Sequence, residues 1–203
     1  MSFADQTINE FLEDVAATTV TPSGGAVAAM SGASGAALCE MVCIHTIEQE
    51  DYSEVRPEMV DIRDDLETQR VRLLELADED SIAVDELQAA FEIPREEDRA
   101  ELIQEASHRT TEVPLEVAER CLNVLEHARV VTAKGNRNTI ADGGTGAFLA
   151  HSAVQASVLI VQSNLELIED VAAVTEIEER SGDIRKAADE AMTQVKTNAE
   201  HAG

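Results

Sequence analysis

One aspartate stands where a helical chain could use it for proton transfer. Asp80 falls in an apolar stripe that repeats at steps of three and four residues, in the order Met59, Ile62, Leu66, Gln69, Leu73, Leu76, Asp80, Ala83, Leu87 and Ala90. A carboxyl group in such a stripe is partly removed from water, which raises its pKa and suits it to exchange a proton. A buried hydrogen bond between helices, or a local twist that exposes the side chain, would explain the same residue without chemistry.

A second candidate follows a dense polar segment that carries positive charge in an acidic sequence. The segment is Lys134-Gly135-Asn136-Arg137-Asn138, and Asp142-Gly143-Gly144 comes soon after it. Asp142 is therefore another candidate for proton transfer. It is also placed to cap the helix that follows, and the two roles can coexist.

Two further segments place polar residues among apolar ones. Backbone N–H groups at the start of a helix can hold an anion or a carbonyl oxygen, and such a start is predicted at Pro22-Ser23-Gly24-Gly25-Ala26. A tight turn between helices would explain these glycines equally well. Asn164 lies in an apolar segment, where a buried amide needs partners on neighbouring helices or on a ligand.

The cysteines and histidines show no metal-binding pattern, and we expect no metal. Cys39 and Cys43 are four residues apart on a predicted helix, but His45 would point away from their face. We predict buried, unpaired cysteines, because free cysteine behaves as a small hydrophobic residue. His45 and His151 are predicted to be satisfied interior or boundary residues.

Helical periodicity runs through the sequence, and no segment shows the alternation typical of a strand. We predict an all-α, mostly antiparallel bundle in one domain over residues 1–203, with two buried central helices and acidic outer ones. The predicted helices cover residues 7 to about 18–21, and about 26–47, 53–92, 96–132, 143–180 and 183–198. A capping box opens the first helix at Thr7 and Glu10, Pro114 is expected to kink or split the fourth, and Ser181-Gly182 is predicted to be a turn.

The composition limits the possible partners. The 203 residues include 41 acidic and 15 basic ones, for a net charge of −26, and 44% are hydrophobic. We expect no binding to nucleic acid or to anionic membranes, since both need Lys and Arg. Such a charge repels itself unless salt screens it, which predicts a protein of the salt-rich cytoplasm of an extreme halophile, or otherwise a merely acidic protein. The first residues lack the basic start and apolar run of a secretion signal, so a cytoplasmic location is expected.

Taken in order, the motifs resemble one known family. The segment Thr21-Pro22-Ser23-Gly24-Gly25-Ala26-Val27-Ala28-Ala29 resembles the P-G-G-G-S-V-A-A element of the cyclodeaminase/cyclohydrolase family, which comprises formiminotransferase-cyclodeaminases and methenyltetrahydrofolate cyclohydrolases. Asp80 with Ala83 resembles its D-x-x-A element, and Ala89-Ala90-Phe91-Glu92-Ile93-Pro94-Arg95 resembles A-A-x-x-L-P-K. Further matches are Arg99, Gln104, Val113-Pro114-Leu115, Gly135-Asn136, Asp142 and Asn164-Leu165. The chain departs from the pattern at Ser23, a family glycine, and at Ala26 and Ala141, both family serines.

The resemblance implies a helical bundle that forms homodimers and acts on a reduced folate, with no separate cofactor. It favours hydrolysis of 5,10-methenyltetrahydrofolate to 10-formyltetrahydrofolate, because no formiminotransferase domain is attached. The alternatives are formiminotetrahydrofolate cyclodeaminase and a non-catalytic dimer that binds folate or a partner protein.

The same resemblance suggests roles for the candidate residues. Asp142 or Asp80 would be the base, the other would orient the pterin, and Lys134 would donate a proton if burial lowers its pKa. The Ser23–Gly25 amides would hold a carbonyl or the folate's glutamate carboxylates. The candidate binding residues are Pro22, Ser23, Gly24, Gly25, Gly135, Asn136, Asn138, Gly143 and Asn164.

Overall fold

A computed structural model of the protein describes residues 2–94 and 99–201. In these ranges the chain forms six α-helices and four short 3₁₀ turns, which confirms the all-α prediction. The helices are α1 (Ile8–Val15), α2 (Gly24–Ile47), α3 (Arg56–Glu92), α4 (Arg99–Lys134), α5 (Ile140–Asn164) and α6 (Val171–His201).

The bundle is built around α4, which packs against α2, α3, α5 and α6. Helix α2 lies between α3 and α5 and runs antiparallel to both. On one side Gly25 contacts Asp80 and Gly32 contacts Leu73, and on the other Gly24 contacts Ile160 while Gly35 contacts Gly146.

The central contact between α2 and α5 depends on glycine. A Cβ atom on Gly35 would lie 2.6 Å from the carbonyl oxygen of Gly146, and one on Gly146 would lie 2.7 Å from that of Gly35. The two helix backbones therefore touch directly. Ala29 and Ala33 are also buried inside the chain, whereas Ala37 is exposed.

Most predicted helix boundaries agree with the structure to within a few residues. The capping box at Thr7 and Glu10 is present, although α1 ends earlier than predicted, at Val15. Helix α4 runs through Pro114 and is not split. Its predicted start at residue 96 lies outside the described residues.

The C-terminal prediction was wrong in one place. A continuous helix was expected to residue 180, but the chain breaks after Asn164 and restarts at Val171, where the carboxylate of Asp170 accepts hydrogen bonds from the N–H groups of Ala172 and Ala173. The predicted turn at Ser181-Gly182 lies inside α6. Ser181 is buried and its hydroxyl donates to the carbonyl of Glu178, so the helix tolerates it.

Helices α2 and α5 combine a buried half with an exposed apolar half. Two stretches, Gly24–Ile47 and Arg137–Leu167, are long and apolar enough to span a membrane by length and composition, and half of the most apolar part of each is buried in the bundle. The uncovered half, which we call the α2/α5 face, exposes Val27, Ile44, Phe148 and Leu159.

Candidate functional site

The structure divides the candidate residues between the two ends of α2. With 24 residues at a rise of about 1.5 Å each, this helix is roughly 36 Å long. Residues 22–25 lie at its N-terminal end. Asp80 lies there too, because its carboxylate accepts a hydrogen bond from the N–H of Ala26. Asn164 is near the same end, because Gly24 packs on Ile160, one turn before Asn164 in α5. Residues 134–143 lie at its C-terminal end, where Asn136 bonds Thr46. In one chain, Asp80 and Asp142 therefore cannot flank the same ligand atom.

At the first end, Asp80 is buried, as its place in the apolar stripe predicts. Its side chain is 3% exposed, and Oδ2 accepts hydrogen bonds from Ser23 Oγ at 3.0 Å and from the N–H of Ala26 at 2.9 Å. Burial raises the pKa of this carboxyl group, and the hydrogen bonds from Ser23 and Ala26 partly oppose that rise. From the sequence, Asp80 was either a carboxyl group with a raised pKa or the partner in a hydrogen bond between helices. The structure shows both.

The turn before α2 is shaped around this carboxylate. Ser23 occupies the N-cap position without capping its own helix, so Asp80 of α3 supplies the cap. Gly25 leaves room for this carboxylate, because a Cβ atom here would overlap it unless Asp80 shifted. A negative charge thus already sits at this helix end, which disfavours binding of the folate's glutamate carboxylates at these amides.

A cavity of about 490 Å³ opens beside the turn. Its walls come from the N-terminal segment, the first turns of α2 and the middle of α5: Val15, Thr19, Val20, Pro22, Ser23, Gly24, Val27, Ala28, Ser31, Ser152, Ala153 and Ala156. The lining is apolar with a few hydroxyl groups. Ser23 belongs to the cavity wall and also donates to Asp80, so this hydroxyl joins the cavity to the buried acid.

Asn164 finds its partner within the protein. Its Nδ2 donates to the carbonyl of Thr110 on α4 at 2.6 Å, which is the interhelical alternative the sequence left open. This bond ties the end of α5 to α4 near the first end of the bundle.

At the second end, Lys134 does not meet the condition set for a proton donor. Its side chain is 47% exposed, and Nζ pairs with the carboxylate of Glu58 at 2.8 Å. The burial on which this role depends is therefore absent in the single chain.

Three other candidates at this end hold the turn together. Asn136 is buried, its N–H donates to Thr46 Oγ1, its Nδ2 donates to the carbonyl of His45, and its Oδ1 accepts from the N–H of Asn138. A Cβ atom on Gly135 would lie 2.5 Å from a carbonyl oxygen of α4. These residues fix the α4–α5 connection to the end of α2.

Asp142 and Gly143 lie near the start of α5. The predicted capping role of Asp142 is wrong, because Thr139 is the N-cap residue and Asp142 lies in the first turn. Its carboxylate is exposed and faces the positive end of the helix dipole. Gly143 packs against α2 and α4, with ordinary contact distances for an added Cβ atom.

The cysteines form part of the core, as predicted. Cys39, Cys43 and Cys121 are buried and unpaired, and burial raises the pKa of each thiol to about 12. They are therefore unreactive thiols at neutral pH. Among the described residues, no three His, Cys, Asp or Glu side chains are grouped as ligands for a metal ion.

Sequence reasoning missed most of the cavity wall. Ser152 and Ala156 of α5, and Thr19 and Val20 before α2, were not candidates. The spacing of four between two small residues on α5 was the available signal, but it equally fits close helix packing.

Fold and site together define a helical-bundle domain in which a buried carboxylate lies beside a cavity of about 490 Å³. Residues 7–183 match the model of the formiminotransferase-cyclodeaminase family, and the chain belongs to this family. It is 36% identical to the methenyltetrahydrofolate cyclohydrolase of Methylorubrum extorquens over 82% of each chain.

Two other relatives extend the comparison. A crystal structure of formiminotetrahydrofolate cyclodeaminase from Thermotoga maritima superimposes with a TM-score of 0.92 at 27% identity, covering 98% of both chains. The formimidoyltransferase-cyclodeaminase of the pig is 26% identical over 95% of this chain, which spans 36% of that enzyme's length.

Proposed function

We propose that this protein hydrolyses 5,10-methenyltetrahydrofolate to 10-formyltetrahydrofolate. The observation that carries the proposal is the 36% identity to a methenyltetrahydrofolate cyclohydrolase along 82% of both chains. The reaction as proposed uses the folate as substrate and needs no further cofactor.

The cavity beside Asp80 suits this substrate chemically. Its apolar walls can hold the flat pterin ring, and the methenyl bridge is a delocalised cation, which a nearby carboxylate attracts. Water must lose a proton as it adds to the bridge carbon, and a raised pKa makes this carboxylate a stronger proton acceptor than an ordinary exposed aspartate. We therefore assign Asp80 as the general base.

The related cyclodeaminase reaction is the second candidate, and the fit to the Thermotoga maritima cyclodeaminase structure favours it. Closure of 5-formiminotetrahydrofolate passes through a similar tetrahedral carbon but releases ammonia. The test measures loss of methenyltetrahydrofolate absorbance with and without protein in molar KCl, and ammonia release from 5-formiminotetrahydrofolate in parallel. We expect catalysed hydrolysis; ammonia release without hydrolysis would replace this assignment with the cyclodeaminase.

We further propose that two copies pair through the α2/α5 face. Leu159 is 68% exposed and Phe148 is 52% exposed, which is costly for apolar side chains in a monomer. The acidic residues of α2 and α5 are only Glu40, which pairs with Arg70 of α3 at 2.9 Å, and Asp142. In a chain of net charge −26, such a face allows close approach of a second copy without strong repulsion.

An antiparallel pairing would bring opposite ends of the two α2 helices together. Asp80 of one copy would then approach Asp142 of the other, and each dimer would hold two such sites. This arrangement gives Asp142 the role of orienting the pterin, which the single chain does not offer.

Complementation tests the shared site. Asp80→Asn and Asp142→Asn homodimers are expected to be weakly active, whereas a mixture refolded together should recover about a quarter of the wild-type sites, because half of its dimers are mixed and each holds one intact site. Failure of the mixture to exceed the mean of its parents, with mixed dimers present, would exclude the shared site. Sedimentation at 21.9 kDa alone in high salt would exclude the dimer itself.

We also propose that the protein works in a salt-rich cytoplasm, with the folate and a second copy as its partners and without binding nucleic acid or membranes. The net charge of −26 supports this, because self-repulsion weakens the compact state unless salt screens it. The thermal midpoint should rise strongly from dilute buffer to molar KCl. Equal midpoints in both would contradict adaptation to salt.

A further inference from the structure

Asp80 is not part of the wall of the cavity that the proposed reaction would use. It packs against Gly25, and only 3% of the residue is accessible to solvent. Its Oδ2 is held by two donors, the N–H of Ala26 and the hydroxyl of Ser23. Of these two donors, Ser23 also forms part of the cavity wall.

We propose that the hydroxyl of Ser23 relays protons between the cavity and Asp80, an inference that rests on the proposed hydrolysis. The chain carries this hydroxyl where the family pattern has glycine, so the relay is a property of this sequence. Ser23 is then a catalytic residue, and Asp80 acts through it.

The relay balances as follows in the hydration step. The oxygen of a cavity water forms a bond to the methenyl carbon, and the π electron pair of the amidinium returns to nitrogen. The water gives a proton to Ser23 Oγ while the Ser23 hydroxyl proton passes to Asp80 Oδ2. A cation and a carboxylate become a neutral carbinolamine and a neutral acid.

The second step opens the ring. The bond between the carbon and N5 breaks, N5 gains a proton, and the carbinol hydroxyl loses one as the formyl group forms on N10. The proton that Asp80 holds reaches N5 through Ser23, and the carbinol proton returns by the same path. Asp80 then releases one proton to solvent, which matches the proton that the overall hydrolysis produces.

Burial raises the pKa of Asp80, and the hydrogen bonds from Ser23 and Ala26 are the influences that lower it. Along α2 the chain has no charged residue before Glu40. The other charged groups of α3 and α4 in the part of the bundle that contains Asp80 either have hydrogen-bond or ion-pair partners of their own or are exposed. They are Asp78, Glu79, Asp85, Arg109, Glu112 and Glu116.

The decisive variants remove or keep the hydroxyl. Ser23→Gly and Ser23→Ala delete it, Ser23→Thr keeps it, and all four residues are found at helix N-caps, although Ala is the least favourable. Thr68→Ala is the matched control, because its hydroxyl is exposed and bonds only the carbonyl of Asp64 on its own helix.

We expect Ser23→Gly and Ser23→Ala to lower kcat at least tenfold, and Ser23→Thr to keep most of the rate. Loss of the Ser23 hydrogen bond also removes an influence that lowers the pKa of Asp80. The acid limb of the kcat profile should therefore move to higher pH in both deletion variants and stay in place in Ser23→Thr and Thr68→Ala. Loss of the hydrogen bond alone would move this limb, so the relay is judged by kcat on the plateau above it, where Asp80 is ionised in every variant, and by recovery of that rate in Ser23→Thr.

The outcomes distinguish failure of the Ser23 relay from failure of the proposed hydrolysis. A wild-type plateau rate in both deletion variants, whether or not the acid limb moves, would overturn the relay and leave the hydrolysis standing. Absence of catalysed hydrolysis by the wild type would overturn both.

Discussion

The two ends of α2 use polar residues in opposite ways. At the N-terminal end a single carboxylate is buried against a glycine and faces an apolar cavity through one hydroxyl. At the C-terminal end, by contrast, many polar groups bond one another or the backbone, and the ion pair between Lys134 and Glu58 lies in solvent. A dense polar loop can thus be mainly a structural connection, whereas one acid in an apolar stripe can be the reactive group.

The largest contrast is expected from removing the charge at the first end. Asp80→Asn should lower kcat by on the order of 10²-fold or more, the usual loss for a general acid or base, because Asn cannot accept the proton. Asn Oδ1 can still accept the hydrogen bonds from Ser23 and Ala26, so the variant should fold. Hydrolysis rates measured beside an outer-surface control, Glu178→Gln, check this. A wild-type rate in Asp80→Asn would show that another group is the general base.

Sequence predicted the first end better than the second for a physical reason. The stripe of α3 has a period that fixes which residues face the core, so the burial of Asp80 followed from its position alone. The partners of Asn136 lie 90 and 91 residues away, in Thr46 and His45, and no local pattern encodes such distant contacts. The same limit hid the separation of Asp80 from Asp142, which depends on helix order in space.

The break after α5 illustrates a second limit. The apolar period continues past residue 164, and the cap at Asp170 is a single carboxylate among many in this acidic chain. A lone Asp cap is hard to recognise where acids are abundant, whereas the capping box at Thr7 and Glu10 combines two residues and was predicted. High acidity therefore weakens the signals that mark helix starts.

Replacing a helical glycine with alanine should change stability according to the space around that glycine, and two glycines of this chain differ in that space. Gly25→Ala is expected to cost about 1–3 kcal/mol, because the new Cβ overlaps the Asp80 carboxylate and overpacking is destabilising. Gly182→Ala has nothing within 4 Å of the new atom and should stabilise α6 by roughly 0.5–1 kcal/mol. Denaturant unfolding of both variants at one salt concentration measures the difference. Equal effects would mean that Asp80 moves aside freely.

The second end is expected to be important for stability rather than rate. Asn136→Ala loses a buried set of hydrogen bonds and should cost about 1–3 kcal/mol. The exposed pair beside it contributes less, so Glu58→Gln should cost about 0–1 kcal/mol and less still in molar KCl. Unfolding free energies in low and high KCl test the ranking. A larger loss from Glu58→Gln would contradict it.

The smallest effect concerns stability against pH at the first end. Burial raises the pKa of Asp80 in the folded state above its value in the unfolded chain. A group shifted in this direction contributes full stability below its unfolded pKa and loses it as pH rises through the folded pKa, because the buried charge is costly. Asp80→Asn carries no such charge, so it should be more stable than the wild type at neutral pH, and the difference should shrink as the pH falls toward the usual range for Asp. Thermal midpoints of both proteins across this pH range, at fixed KCl, provide the measurement. A difference that grows toward acid would mean that Asp80 is favoured as a carboxylate in the fold, and would remove the physical basis for its role as a base.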